Sequence, residues 1–206
     1  MERQRWLDGT LYSPDFEQDS CGFGLIAQID NQPSHTLVQN AIGSLACMTH
    51  RGAIAADGLS GDGCGLLFKK PDAFLREAGF ALGELYAAGL LFLSRDKAQQ
   101  DSSRTTLKTE LETQGLIVAG FRLVPTDASV CGESALASLP HIEMVFVNAA
   151  AGMSEDDFER KLYIARRRAE KLLEPTDPVF YLPTLSCRVV SYKGLVMPDN
   201  LPVFYP

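Results

Sequence analysis

The sequence predicts an α+β layered sandwich, because strand-like and helix-like stretches arrive in separated groups rather than as strict βαβ units. Apolar residues alternate through residues 22–29 and 141–147, as half-buried antiparallel strands require. Apolar stripes recur at helical spacing through residues 35–48 and 157–173. The length of 206 residues, 46% of them hydrophobic, suits one core burying roughly 70% of the unfolded surface.

Residues 1–20 are acidic and polar and read as an irregular leader. After Cys21, residues 22–29 form the first expected strand, closed by Asn31-Gln32-Pro33, and Ser34 is placed to cap the helix that follows. That helix carries Leu37, Val38, Ala41, Ile42, Leu45 and Ala46 on one stripe, and Gly52 is expected to end it. The loop 53–63 contains Asp57-Gly58 and Gly61-Asp62-Gly63, a composition that permits positive φ and exposes backbone N–H groups. Residues 64–68 make a second strand. Pro71 at a first helical position opens a short helix through Ala78, which Gly79 stops.

Residues 85–93 are a fully buried strand, a polar surface helix starts near Lys97, and residues 116–124 form a strand ended by Pro125. Residues 133–139 are ambiguous. Ser154 and Asp157 make a capping-box-like start to the most periodic helix, whose stripe is Phe158, Leu162, Ala165, Ala169 and Leu172. Glu155, Asp156 and Asp157 in its first turn suit the helix dipole. Two more strands are expected at 179–182 and 188–192. The apolar stretch 201–206 reads as a strand whose partners lie outside this sequence, so the chain is expected to be the first part of a longer one.

Several function classes are excluded. With 26 acidic against 19 basic residues, a net charge of −7, and Arg166-Arg167-Arg168 as the one dense basic cluster, no nucleic-acid partner is expected. No apolar run approaches the ~20 residues that span a bilayer, and the acidic first twenty residues do not make a signal peptide, so no membrane association is expected. The five cysteines (Cys21, Cys47, Cys64, Cys131, Cys187) are odd in number and lack any CxxC pair, which points to reduced thiols in the cytoplasm and to no metal site.

One cysteine stands apart. Cys21 precedes Gly22-Phe23-Gly24 at the mouth of the first expected strand, where backbone approaches a ligand closely. A cysteine taken alone is ordinarily a small buried hydrophobe, and Cys47, Cys64, Cys131 and Cys187 are read so. Three elements together carry more: Cys21-Gly-Phe-Gly-Leu-Ile-Ala, then Met48-Thr-His50-Arg51-Gly52-Ala, then Asp57-Gly-Leu-Ser-Gly61-Asp62-Gly63-Cys-Gly65-Leu-Leu. They resemble the amino-terminal glutaminase domain of glutamate synthase large subunits, a class II glutamine amidotransferase. The resemblance extends to Arg166-Arg167-Arg168 with Glu170 and to Tyr192-Lys193-Gly194-Leu195.

The resemblance implies the N-terminal-nucleophile fold, a four-layer αββα sandwich, here incomplete at its C-terminal end. It implies a propeptide at 1–20, cut between Ser20 and Cys21, and a partial amidotransferase domain over 21–206. Cys21 would be the nucleophile that hydrolyses glutamine to glutamate and ammonia through a thioester, its freed α-amine moving the proton. Arg51, Gly52, Gly22, Asp62 and Gly63 would organise the pocket. The implied partners are glutamine, downstream synthase domains and a small reductase subunit. FMN and an iron–sulfur cluster would belong to later domains and not to this segment, with NADPH or ferredoxin as donor.

Two family elements do not occur here, the Arg-Phe-Ser-Thr that binds the glutamine carboxylate and the Asn-Gly-Glu that forms the oxyanion hole. Losing one oxyanion donor commonly costs ~3 kcal/mol of transition-state stabilisation, so these 206 residues alone are expected to be nearly inert. The alternatives are a truncated, non-catalytic scaffold and a thiol hydrolase pairing Cys21 with His50 or His141. The hydrolase requires its cysteine to open a helix, whereas Cys21 opens a strand pattern. A metal site from Cys47, His50 and Cys64 lacks a fourth ligand.

Overall fold

A computed structural model describes residues 22–49 and 52–206. In chain order the elements are α1 (His35–Cys47), β1 (Cys64–Lys69), α2 (Asp72–Arg76), β2 (Tyr86–Leu93), α3 (Lys97–Thr113), β3 (Ile117–Leu123), α4 (Glu133–Ser138), β4 (His141–Asn148), α5 (Glu155–Leu173), β5 (Val189–Gly194) and α6 (Leu201–Phe204). Short 3-10 turns occupy Ala128–Val130 and Pro198–Asn200.

Among the described residues all strand pairing is antiparallel, as the alternation predicts. β4 lies between β2 and β3, and β1 pairs with β5 from Cys64 opposite Gly194 to Lys69 opposite Val189. The period of two then sorts the side chains into layers. Odd-numbered Ala87, Leu91, Val145 and Val147 pack against Leu107 and Leu111 of α3 and Phe158, Leu162 and Ala165 of α5. Even-numbered Tyr86, Ala88, Leu90, Met144 and Phe146 face the other way, towards Val190 of β5, Leu66 and Phe68 of β1 and Leu45 of α1. The helix pair α3 and α5 therefore covers one face of the three-stranded sheet, and β1 with β5 covers the other.

The caps form as expected. Ser34 Oγ accepts from the Leu37 N–H at 3.2 Å, and Ser154 Oγ accepts from the Asp157 N–H at 3.2 Å. On α5 the buried residues are Phe158, Leu162, Ala165, Ala169 and Leu173, whereas the expected Leu172 is exposed. The helix advances about 100° per residue, so four positions on from Ala169 returns to the buried stripe and three falls at its edge. The ambiguous segment at 133–139 is helix α4.

Five further expectations are corrected. Residues 22–28 are not a strand but irregular, with Phe23 92% and Leu25 87% exposed. Alternation supplies an apolar face but no hydrogen bonds, and among the described residues β1 has no partner besides β5. Residues 179–182 make only a bridge from Tyr181 to Phe92, because Pro178 and Pro183 bracket them and have no N–H for a ladder. Gly52 does not end α1: the helix stops at Cys47, where the Thr49 hydroxyl donates to the Ala46 carbonyl at 2.7 Å. Pro71 sits just before α2 rather than within it, and α2 ends at Arg76 with Gly79 beyond at φ 80°. Residues 201–204 form α6 rather than an unpartnered strand, with Leu201 and Phe204 buried in the core between the sheets.

Candidate active site

The loop 52–63 is closed from within. The Ala53 N–H donates to Asp62 Oδ2 at 2.8 Å, Ile54 bridges to Gly61, and the Ala55 N–H donates to the Ser60 carbonyl at 2.9 Å. Asp62 therefore ties the start of the loop, beside Gly52, to its end. At the tip, Asp57 Oδ1 accepts from the Leu59 N–H at 2.9 Å and the Ser60 N–H at 2.8 Å, and Asp57 Oδ2 accepts from the Ser60 hydroxyl at 2.6 Å. These bonds, the Ser60 hydroxyl first, bring the Asp57 carboxyl down to about 2.

Glycine makes the exit of the loop possible. Gly63 has φ 95°, and a Cβ there would lie 3.1 Å from the Gly194 carbonyl oxygen and 3.2 Å from Leu195 Cδ2. The close approach lets the chain turn directly from the loop into β1 alongside β5. Asp62 and Gly63 also line a cleft of about 760 Å³ between the two sheets, whose walls include Phe92, Tyr181, Tyr192 and Lys193. The Lys193 ammonium sits 5.0 Å from the Tyr181 ring centre.

Of the residues singled out from sequence, the structure brings Gly52, Asp62 and Gly63 into one loop. Gly22 is exposed and, among the described residues, bonds to no part of that loop. Ser20, Cys21, His50 and Arg51 lie outside the described residues. Sequence reasoning missed Gly132 and Ser134, against which the loop tip rests: a Cβ on Gly132 would fall 2.2 Å from Asp57 Oδ2, and Ser134 backbone also reaches that carboxylate. The Asp57-x-x-Ser60 spacing signals the turn, but nothing local signals its remote support.

Three of the other thiols, Cys64, Cys131 and Cys187, are unsuited to nucleophilic work, whereas Cys47 is exposed. Burial pushes Cys64 up to about 11 while its Sγ–H donates to the Val196 carbonyl at 3.4 Å. Burial, then the Glu159 carboxylate, pushes Cys187 up to about 12, and burial raises Cys131. His141 is held elsewhere, its Nε2 2.9 Å from Glu143 Oε1, a carboxylate that Arg104 grips with Nε at 2.8 Å and Nη2 at 2.6 Å. Among the described residues no three His, Cys, Asp or Glu side chains cluster to hold a metal ion.

A glycine-and-aspartate loop leading into an antiparallel α+β sandwich, with one glycine-flanked cysteine ahead of it, defines a class. The chain belongs to the class-II glutamine amidotransferases, whose sequence profile matches residues 21–206. It is similar to the glutamate synthase (NADPH) large chain of Azospirillum brasilense, 37% identical over 202 residues that cover 95% of this chain and 13% of that protein. It is also similar to the ferredoxin-dependent glutamate synthase 2 of Synechocystis, 36% identical over 195 residues that cover 92% of this chain and 12% of that protein. The corresponding large chain of Bacillus subtilis is 34% identical over 200 residues, with 95% and 13% covered. The chain thus spans about an eighth of the length of these relatives.

Proposed function

We propose that this chain is the glutaminase part of a glutamate synthase, hydrolysing glutamine to glutamate and ammonia with Cys21 as nucleophile. The observation that carries the reading is that the family match begins at Cys21, the residue whose own α-amine could serve as its base. The thiol, with an ordinary pKa of about 8.5, and an α-amine near 8 exchange a proton readily at neutral pH. The amine takes the thiol proton as sulfur attacks the side-chain amide carbon of glutamine, and the resulting ammonium returns a proton to the departing nitrogen, which leaves as ammonia. Water then adds to the thioester, with the amine again removing the proton, and glutamate leaves as sulfur is restored to the thiol. While Ser20 remains joined to Cys21 that nitrogen is an amide, so residues 1–20 act as a propeptide.

The αββα sandwich of N-terminal-nucleophile enzymes is the architecture this reading requires, and the order α3 with α5, larger sheet, smaller sheet supports it. Arg51, Gly52 and Asp62 organise the pocket, the guanidinium holding carbonyl groups near Cys21. The ammonia is passed to synthase domains of the same protein, where FMN and an iron–sulfur cluster serve the reductive step; a small reductase subunit completes the assembly. The 206 residues alone, lacking the oxyanion and carboxylate-binding elements, turn over little glutamine.

The test is covalent trapping. Protein from the whole reading frame is incubated with an electrophilic diazoketone analogue of glutamine, digested and mapped by mass spectrometry. The reading requires the adduct on the peptide beginning at Cys21, with glutamine slowing its formation. An adduct on Cys47 instead, or no protection by glutamine, overturns it.

A further inference from the structure

The cleft of about 760 Å³ between the two sheets is lined by hydrogen-bond donors that the fold leaves unspent. Lys193 of β5 holds its ammonium 5.0 Å from the Tyr181 ring centre, and among the described residues no carboxylate pairs with it. Asp62, the one carboxylate on the lining, accepts from the Ala53 N–H instead. Ser191, two positions before Lys193 and so on the same face of the strand, shares a hydrogen bond of 3.0 Å with the Thr184 hydroxyl, whose oxygen also accepts from the Ser191 N–H at 3.2 Å. Two hydroxyls carry two protons and the bond between them uses one, so the other has no acceptor among the described residues. The neighbouring wall is aromatic: the Phe92 and Tyr181 rings lie 6.0 Å apart at 37°, and Tyr181 is 42% exposed.

From this arrangement we infer that the cleft is a binding site for a small aromatic carboxylate. The ring lies against Phe92 and Tyr181, and the carboxylate accepts from the Lys193 ammonium and from the spare hydroxyl proton of the Thr184–Ser191 pair. The volume suits such a molecule, since small-molecule sites span about 300–1,000 Å³. A purely apolar ligand would cover the ammonium and the hydroxyl without giving them an acceptor, and a bare inorganic anion would leave the rings uncovered, so the ligand needs both halves. Bonds from an ammonium to a carboxylate are about twice as strong as neutral ones, which favours the acid over its amide. The site is additional to the proposed hydrolysis, which uses none of these five residues.

The test uses protein from the whole reading frame, titrated with 4-fluorophenylacetate and, separately, with its neutral amide, 4-fluorophenylacetamide, while the fluorine NMR signal of the probe is followed. The site predicts saturable binding of the acid, with the amide about tenfold weaker or more. Lys193→Gln should weaken the acid about tenfold and leave the amide unchanged, whereas Tyr181→Ala should weaken both. Lys171→Gln, at an exposed position of α5, should change neither. Equal binding of acid and amide, or an acid affinity indifferent to Lys193→Gln, overturns the inference. So does the absence of binding, the mark of a cleft filled by other parts of the protein, and so does displacement of the probe by glutamine, which would make the cleft part of the hydrolysed substrate's own site. Failure of the glutaminase reading shows separately, as absence of a glutamine-protected adduct at Cys21.

Discussion

Replacing Gly63 by alanine tests how tightly the loop is tied to the smaller sheet. At φ 95° an L side chain is strained, at about 1–2 kcal/mol. The new Cβ also meets the Gly194 carbonyl oxygen at 3.1 Å and Leu195 Cδ2 at 3.2 Å. Backbone on the β5 side cannot rotate away as a flexible side chain would, so overpacking adds about 1–2 kcal/mol. The total is about 2–4 kcal/mol, a fall in Tm of about 5–12 °C for a domain of this size. Gly58→Ala is the control: φ there is 69°, with nothing within 4 Å of the added Cβ, so only the backbone strain of about 1–2 kcal/mol remains. Thermal and urea unfolding of the two variants, followed by circular dichroism, measures the difference. Equal losses for Gly63→Ala and Gly58→Ala would refute the close approach of Gly63 to β5.

Three more outcomes are expected. Glu143→Ala takes both carboxylate bonds from Arg104, which keeps Asp101 Oδ1 at 2.6 Å, and should lower stability by about 1–3 kcal/mol in urea unfolding; a loss below about 0.5 kcal/mol would mean the pair is solvated. The Asp57 carboxyl is depressed to about 2 from an unfolded value near 4, so its bonds are fully present above about pH 4 and weaken as pH falls towards 2; the difference in Ser60 amide exchange between the parent and Asp57→Asn should narrow across that window. Iodoacetamide at pH 8 should leave Cys64, Cys131 and Cys187 unlabelled in the folded protein, since burial keeps them as thiols, and rapid labelling of Cys64 would contradict its place in the core.

What the sequence made legible follows the physics of period and cap. Strands β2 and β4 are buried on both faces and carry apolar runs, and α1 and α5 announce themselves with Ser34 and Ser154. Helix α3 was legible in place but not in burial, because Gln100, Ser103 and Glu110 occupy its inward face: Ser103 donates to Asp177 at 2.6 Å, Glu110 meets Arg168 at 2.9 Å, and these polar residues hide the stripe. Residues 22–28 failed as a strand because pairing depends on a partner that local alternation cannot supply. In the candidate site, the turns at Asp57-Gly58 and Gly61-Asp62-Gly63 were readable from composition. The docking of that loop on Gly132 was not, because a glycine with ordinary φ carries no local sign of what it makes room for.

The central claim is that Cys21 works only with its own free α-amine, in a site completed by oxyanion and carboxylate-binding donors. Glutamate release from glutamine, measured on three forms of the protein, tests it most directly. The forms are the 206 residues as they stand, the same residues beginning at Cys21, and a Cys21-initiated protein extended through an Asn-Gly-Glu element. The account predicts release by the third form alone, abolished by Cys21→Ala. Robust hydrolysis by the form that begins at Met1 with the Ser20–Cys21 bond intact, or turnover that survives Cys21→Ala, would contradict it.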